Sequence, residues 1–407
     1  MDHKMIAAIR YFLLVFALVL LFTTRLPPST VQAQLLPAHP SVSNDTGSTK
    51  SYLPFVVRPA PTGPDWTITT VDDAHPMSNM GDHSLRLTAD DLPRIAYGSN
   101  HLFYAHLEET GWVNDLVDAS SGVGKYASLA LDSNGSPYIS YNDATNKDLK
   151  YAHWTGSNWD VQTLDYGSTS YFGTFTSIVV DSNNNPGISY LGYDYNYTLS
   201  KYVYDLNYTH LNNTYWNDLI LDSSENISGF ISMGLDPDNH PHISYYDDAT
   251  NKNLKYVQYT GSTWFQITFD LPDDTGKYSS LAVDEDSNTY ISYLDDSNDR
   301  LKMVSFRNSD MNTEIEIVDP NTSVSQNTSI ALDSHGRPHI AYYDKSKKDL
   351  KYARWTGTTW VITTIDSTGD VGKYASLALD SHDLAHISYY DSTHASLKYA
   401  VQNYLIP

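Results

Sequence analysis

Lys373-Tyr-Ala-Ser-Leu-Ala-Leu-Asp380 is one copy of a phrase that the chain writes seven times. Its serine anchor falls at Ser84, Ser128, Ser177, Ser232, Ser280, Ser329 and Ser376, with spacings of 44, 49, 55, 48, 49 and 47 residues. A second phrase follows each anchor, clearest as Pro338-His-Ile-Ala-Tyr-Tyr-Asp344. Then comes Leu-Lys-Tyr-Ala, as in Leu149–Ala152 and Leu350–Ala353, and a Trp-led run such as Trp360-Val-Ile-Thr-Thr-Ile-Asp366. A period in this range marks a repeat architecture before any single element is read.

Each unit reads as four strands. Ser128-Leu-Ala-Leu-Asp132 is apolar on both faces, the mark of a strand covered on both sides. Asp132-Ser-Asn-Gly135 supplies the φ > 0 residues of a tight hairpin. Tyr138-Ile-Ser-Tyr141 alternates with period two, Leu149-Lys-Tyr-Ala152 follows a polar loop, and Thr155-Gly156 turns the chain into a fourth strand at Trp159. No stretch has helical periodicity, and the strands are rich in Tyr, Ile, Val and Trp. Four antiparallel strands per unit predict a β-propeller blade. The ends then choose a ring over a linear solenoid. Asp65-Trp-Thr-Ile-Thr-Thr-Val-Asp72 matches only a fourth strand, and the last repeat stops after Leu397-Lys-Tyr-Ala400, a third strand. Completing the last blade with the N-terminal strand removes both unpaired edges. The expected fold is all-β, a seven-bladed propeller over residues 65–407 closed by its N-terminal strand.

Ahead of the ring, Lys4 and Arg10 precede the apolar run Tyr11–Phe22, and Val31-Gln32-Ala33 offers a cleavage site. Residues 1–33 therefore read as a secretory signal peptide. Residues 34–64 contain Pro37, Pro40, Pro54, Pro59, Pro61 and Pro64 and read as an extended linker, interrupted by the apolar patch 52–57. The expected setting is extracellular or on the cell surface, as a monomer with no membrane contact once mature. The 407 residues include no cysteine, which excludes disulfides, thiolate metal sites and a cysteine nucleophile. With 25 Lys+Arg against 48 Asp+Glu, a formal −23, the chain repels phosphate backbones, so no nucleic-acid partner is expected. The 33 tyrosines are mostly written by the repeat.

The repeats, here Leu377-Ala-Leu-Asp380, Ala385-His-Ile-Ser-Tyr-Tyr-Asp391 and Leu397-Lys-Tyr-Ala400, resemble those of a broad group of exported bacterial propellers. The resemblance covers residues 65–402. It extends more distantly to sialidase-type and lectin-type propellers, and it implies a ligand face at one end of the ring.

Two repeat columns fall on that face. The first is Gly-Lys-Tyr before strand one: Lys125-Tyr126, Lys277-Tyr278 and Lys373-Tyr374, with Phe175 and Phe230 in the aromatic place and Asp82 and Asn327 breaking it. It is expected to ring the mouth of the central channel. The second ends strand two: Tyr246-Asp247, Tyr343-Asp344 and Tyr390-Asp391, with Asn142-Asp143 and Leu294-Asp295 as variants. It is expected further out, in clefts between blades. Aromatic faces beside carboxylates and ammonium groups suit sugars, and near-copies around a ring would bind multivalently. The competing reading of both columns is packing, blade against blade and Lys over Tyr. Lys150, Lys201, Lys255, Lys302, Lys351 and Lys398 are assigned to strand three as structural partners of nearby aspartates, with Lys255 opposite Tyr246. The lysines of Gly-Lys-Tyr lack such a built-in partner and are the stronger ligand candidates.

No cofactor is expected. Asp-led turns such as Asp132-Ser-Asn-Gly135 and Asp236-Pro-Asp-Asn239 offer two or three side-chain oxygens, whereas calcium takes six to eight; hairpin chemistry is the better account and calcium the alternative. His242, His339 and His386 share a column and diverge from the axis, so they share no metal. Arg86, Arg94, Arg300, Arg307, Arg337 and Arg354 are scattered over different columns, unlike a sialidase cluster. Blades one and three are the irregular ones, the latter through the insertion Tyr193–Asn213. The expected function is glycan recognition through the loop face. The second reading is a polysaccharide hydrolase or lyase centred at the channel mouth, and the third a protein-interaction scaffold.

Overall fold

The structure, a computed structural model, describes residues 65–404 except 166–170, 197–199, 213, 225–226, 249–251, 270–273 and 321–323. The expected signal peptide (1–33), linker (34–64) and apolar patch (52–57) lie outside the described residues. The described residues form seven four-stranded antiparallel sheets; in six of them four consecutive strands pair, and in the seventh the last three strands are joined by the first. Blade two is typical, with strands Val123–Leu131, Pro137–Asp143, Asp148–Trp154 and Trp159–Asp165 from the axis outward. Its second strand is buried on both faces, Ile139, Ser140 and Tyr141 alike, because a neighbouring blade covers each side. The outermost strand shows exposed residues in its middle.

The ring closes as the ends of the sequence require. Trp66–Asp72 pairs antiparallel with Ser396–Gln402, Trp66 opposite Gln402 and Ile68 opposite Ala400, and so completes the seventh blade. The anchor serines then tie blade to blade. Ser128 Oγ accepts from the Ile178 N–H (3.2 Å), Ser177 from Met233 (3.0 Å), Ser232 from Leu281 (2.9 Å), Ser280 from Ile330 (3.1 Å), Ser329 from Leu377 (2.9 Å) and Ser376 from Leu85 (3.0 Å). At the seventh junction the Leu129 N–H donates to the His83 carbonyl instead, at 2.9 Å.

A second tie lies further out. The tyrosine two residues before the strand-two aspartate donates to the aspartate that ends the previous blade: Tyr141 to Asp118 (2.7 Å), Tyr245 to Asp222 (2.7 Å), Tyr342 to Asp319 (2.7 Å) and Tyr389 to Asp366 (2.8 Å). The strand-three lysine reaches the same carboxylate, Lys150 to Asp118 at 2.6 Å and Lys351 to Asp319 at 3.1 Å. A buried tyrosine hydroxyl and an ammonium group thus donate to one shared carboxylate across the blade interface.

Two register expectations are corrected. Lys255 faces Tyr245, not Tyr246, because the loop closes on Asp247 opposite Asn253. Lys201 is not in the lysine column: it faces Asn196, and Asn207 holds the column place opposite Tyr190. The insertion of blade three lengthens strands two and three, Pro186–Asn196 and Lys201–Asn212, which pair along their length.

Candidate functional site

At the axial end where the inner strands begin, their pairing slips twice, between Val371 and Lys373 and again between Lys373 and Ser376 in blade seven. The slip puts Tyr374 at φ 55°, and its counterparts Tyr126, Phe175, Phe230 and Tyr278 at 56°, 53°, 52° and 56°. A bulky aromatic in the left-handed region is an outlier that costs of order 1–3 kcal/mol. Gly372, at φ 105°, lets the strand pass its neighbour: a Cβ there would lie 2.7 Å from Leu350 Cα.

The five aromatics line one shallow bowl on the axis, of about 220 Å³. Asn327 and Asn79 complete its seven-membered wall, at φ 77° and 50°. Blade one therefore contributes Asn79, not Asp82, to the aromatic column. Tyr126–Phe175, Phe175–Phe230 and Phe230–Tyr278 have centroids 4.7, 5.2 and 4.5 Å apart, an unbroken aromatic arc over blades two to five. The other side is polar: the Tyr374 hydroxyl donates to Asn79 Oδ1 at 3.2 Å, and Asn327 Nδ2 donates to the Met80 carbonyl at 2.8 Å.

Met80, Gly81 and Asp82 form the floor. This segment leads into the short inner strand of blade one, Leu85–Leu87, and it crosses the channel. The Gly81 N–H donates to the Ala127 carbonyl at 3.2 Å. The Asp82 carbonyl accepts from Ser329 Oγ (2.9 Å) and Ser376 Oγ (2.8 Å), and its carboxylate accepts from Ser232 Oγ (2.8 Å). His83 lies 3.4 Å from Ser177 Oγ and bonds the Leu281 backbone. Residues 80–83 and Asn327 thus join blade one to all six other blades, and the bowl is blind. Burial pulls the His83 imidazole down to about 4, despite the nearby Asp82, so it is neutral at ordinary pH. The plug was not foreseen. Its signal was available: Asp82 stands where five repeats have an aromatic residue, and His83 and Arg86 stand where the other repeats have small or apolar ones.

The lysines of the first column do not line the bowl. Lys277 Nζ is 3.0 Å from Asp274 and 2.5 Å from Asp296, and Lys373 Nζ is 2.9 Å from Asp370. The expectation that these lysines lack partners is corrected for both. Their ammonium groups also lie 5.6 Å from the rings of Tyr246 and Tyr343. Lys125 differs, because Gly122 stands where Asp274 and Asp370 stand.

The second column is packed inside rather than open in clefts. Tyr246 and Tyr343 are buried and donate to Asp274 and Asp370 at 2.7 and 2.8 Å. Asp247, Asp344 and Asp391 are buried beside Lys255 (2.8 Å), Lys351 (3.4 Å) and Lys398 (2.9 Å). Asp344 and Asp391 also accept N–H groups of the next loop, from Ser346 at 3.0 Å and Thr393 at 2.9 Å. Tyr390 is half-buried, its ring centroid 6.3 Å from that of Tyr374.

The Asp-led turns lie at the opposite ends of the inner strands. Asp132 Oδ1 accepts the N–H groups of Asn134 (2.9 Å) and Ser136 (2.8 Å), the chemistry of a tight turn. Among the described residues, three groups there bring candidate metal-ligand atoms within 4.8 Å of one another: Asp91, Asp380 and His382; Asp236, Asp238 and His240; Asp333, His335 and Asp383. One aspartate in each already bonds its own turn. His242, His339 and His386 are buried, each with Nδ1 at a strand-three tyrosine hydroxyl and Nε2 3.5–3.6 Å from a turn aspartate.

Among the described residues no helix is long and apolar enough to cross a membrane. No protein-family model matches the sequence. No curated protein matches it either. Solved structures align with it at low identity. A protein of unknown function from Dyadobacter fermentans aligns with TM-score 0.50 at 10% identity, over 68% of this chain and 93% of its own. An ulvan lyase bound to a GlcA–Rha3S repeat gives 0.48 at 14%, over 64% and 76%. A lectin of Aleuria aurantia in complex with Fucα1-6GlcNAc gives 0.46 at 10%, over 70% and 94%.

Proposed function

We propose that this chain is an exported glycan-binding protein whose axial bowl takes one sugar ring. The observation that carries the reading is the blind aromatic bowl: five rings held over the axis in a conformation that aromatic residues avoid. Strain of this kind persists where the surroundings impose it, and it gathers at functional sites. A pyranose presents an apolar face that the arc from Tyr126 to Tyr278 can stack on, and hydroxyls that Asn79, Asn327 and Tyr374 can bond. At about 220 Å³ the bowl is below the ~300–1,000 Å³ typical of drug-sized ligands, a size for one small ring. The acidic chain favours a neutral glycan over a polyanionic one. Tyr246 and Tyr390 back the wall, their ring centroids 6.0 and 6.3 Å from those of Phe230 and Tyr374.

The test is a glycan array probed with the mature protein and with Tyr278→Asn. Asn79 and Asn327 already hold the same backbone conformation, so asparagine is the substitution that keeps the fold. Binding of a neutral glycan by the wild type, weakened at least tenfold in the variant at a similar Tm, supports the reading. Equal binding by both proteins contradicts it, as does no binding at all.

A further inference from the structure

The lumen below the plug breaks the ring's symmetry at one position. Two residues after the anchor serine, six blades carry Ala130, Val179, Gly234, Ala282, Ala331 and Ala378, and blade one carries Arg86. All seven line a second chamber of about 460 Å³, at the end of the axis away from the bowl. His83 also lines it, and the remaining lining residues are all apolar.

Arg86 is the cation of this chamber. Its Nη1 donates to the Leu85 carbonyl at 3.0 Å, its one protein hydrogen bond among the described residues. A guanidinium has five N–H donors. No carboxylate lies within ion-pair distance of it among the described residues: Asp82 acts on it only at longer range, and the Asp82 carboxylate is held by Ser232. Burial outweighs that attraction and pulls the guanidinium down to about 10, while the side chain stays half-buried and open to the chamber. His83 is neutral and bonded elsewhere, and it supplies no compensating charge.

A forked donor pair matches a carboxylate in geometry and in charge. One positive charge calls for a monoanion, and the Ala, Val and Leu walls favour an aliphatic body, whose burial adds affinity with each methylene. We propose that this chamber binds a monocarboxylate with a short aliphatic chain, its carboxylate on Arg86. The proposal is independent of the bowl and stands whether or not the bowl binds a glycan.

The test is thermal unfolding of the wild type in sodium acetate, butyrate and hexanoate, each against sodium chloride of equal ionic strength. The expected result is a saturable rise in Tm that grows from acetate to hexanoate and is absent in chloride, as mass action on the folded state requires. Arg86→Met, which keeps the volume and removes the charge, should abolish it. A rise no larger than that in chloride, a rise independent of chain length, or the same rise in Arg86→Met would overturn the proposal. Should Arg86→Met fail to fold, wild-type calorimetry decides. Hexanoate should bind once per chain and hexylamine not at all; equal binding of hexylamine would remove the guanidinium as anchor.

Discussion

The hydroxyl of Ser376 accepts a 3.0 Å hydrogen bond from the Leu85 N–H, 291 residues earlier in the chain, and donates at 2.8 Å to the Asp82 carbonyl. One side chain thus joins the last blade, the first blade and the plug. Ser376→Ala leaves the buried Leu85 N–H without its acceptor and the Asp82 carbonyl with Ser329 alone, at a cost of about 1–3 kcal/mol. Denaturant titration should show a lower midpoint with an unchanged slope. An unchanged midpoint would mean that the serine ring does not hold the blades.

Two glycines with similar φ should respond differently to alanine. Gly372 sits at φ 105° with a prospective Cβ 2.7 Å from Leu350 Cα, whereas Gly357, at φ 93°, has nothing within 4 Å. Gly357→Ala meets only backbone strain, about 1–2 kcal/mol. Gly372→Ala adds a clash with the neighbouring blade and should cost clearly more. Equal losses in parallel thermal melts would show that the close approach at Gly372 is unimportant.

Acid should loosen the blade interfaces. Burial raises the Asp118 carboxyl, but bonds from Lys150, Ser120 and Tyr141 outweigh it and hold the group down to about 2, from 3.8. A folded-state value below the unfolded one gives stability that is complete above about pH 4 and is lost as pH falls toward 2. Asp118→Asn should be less stable than the wild type at pH 6 and close to it at pH 2. A constant difference over that range would assign the loss to packing rather than charge.

Asp205 should behave in the opposite sense. Blade three has Asn207 where five other blades place a lysine, and Asp205 is buried with one oxygen unpaired among the described residues. Burial, with Asp194 and Asp222, raises it to about 6 from 3.8. Its penalty is therefore complete above pH 6 and disappears as pH falls toward 4. Asp205→Asn should be more stable than the wild type at pH 8 and should lose that advantage near pH 4. A less stable variant at pH 8 would mean that the ionised carboxylate is favourably held.

The ring was legible because blades are written in period: the anchor serine, the Tyr-Tyr-Asp phrase and the orphan strand at Trp66 count the blades and close the circle. Register was less so, since the place of Lys255 depends on how many residues the loop before it absorbs. The columns read as equivalent on every blade, yet the axis makes them unequal. Residues nearest it converge, so the aromatics from five blades meet in one bowl, while the Tyr-Asp column radiates outward into separate interfaces. Asn79 escaped because the lead-in of blade one is routed across the channel, where repeat spacing no longer measures position.

That convergence changes the expected stoichiometry from several ligands to one. Calorimetric titration of the wild type with the glycan identified on the array tests the central claim most directly. The account predicts one ligand per chain, with binding lost in Tyr278→Asn. Several equivalent ligands per chain, or an undiminished isotherm in Tyr278→Asn, would contradict it.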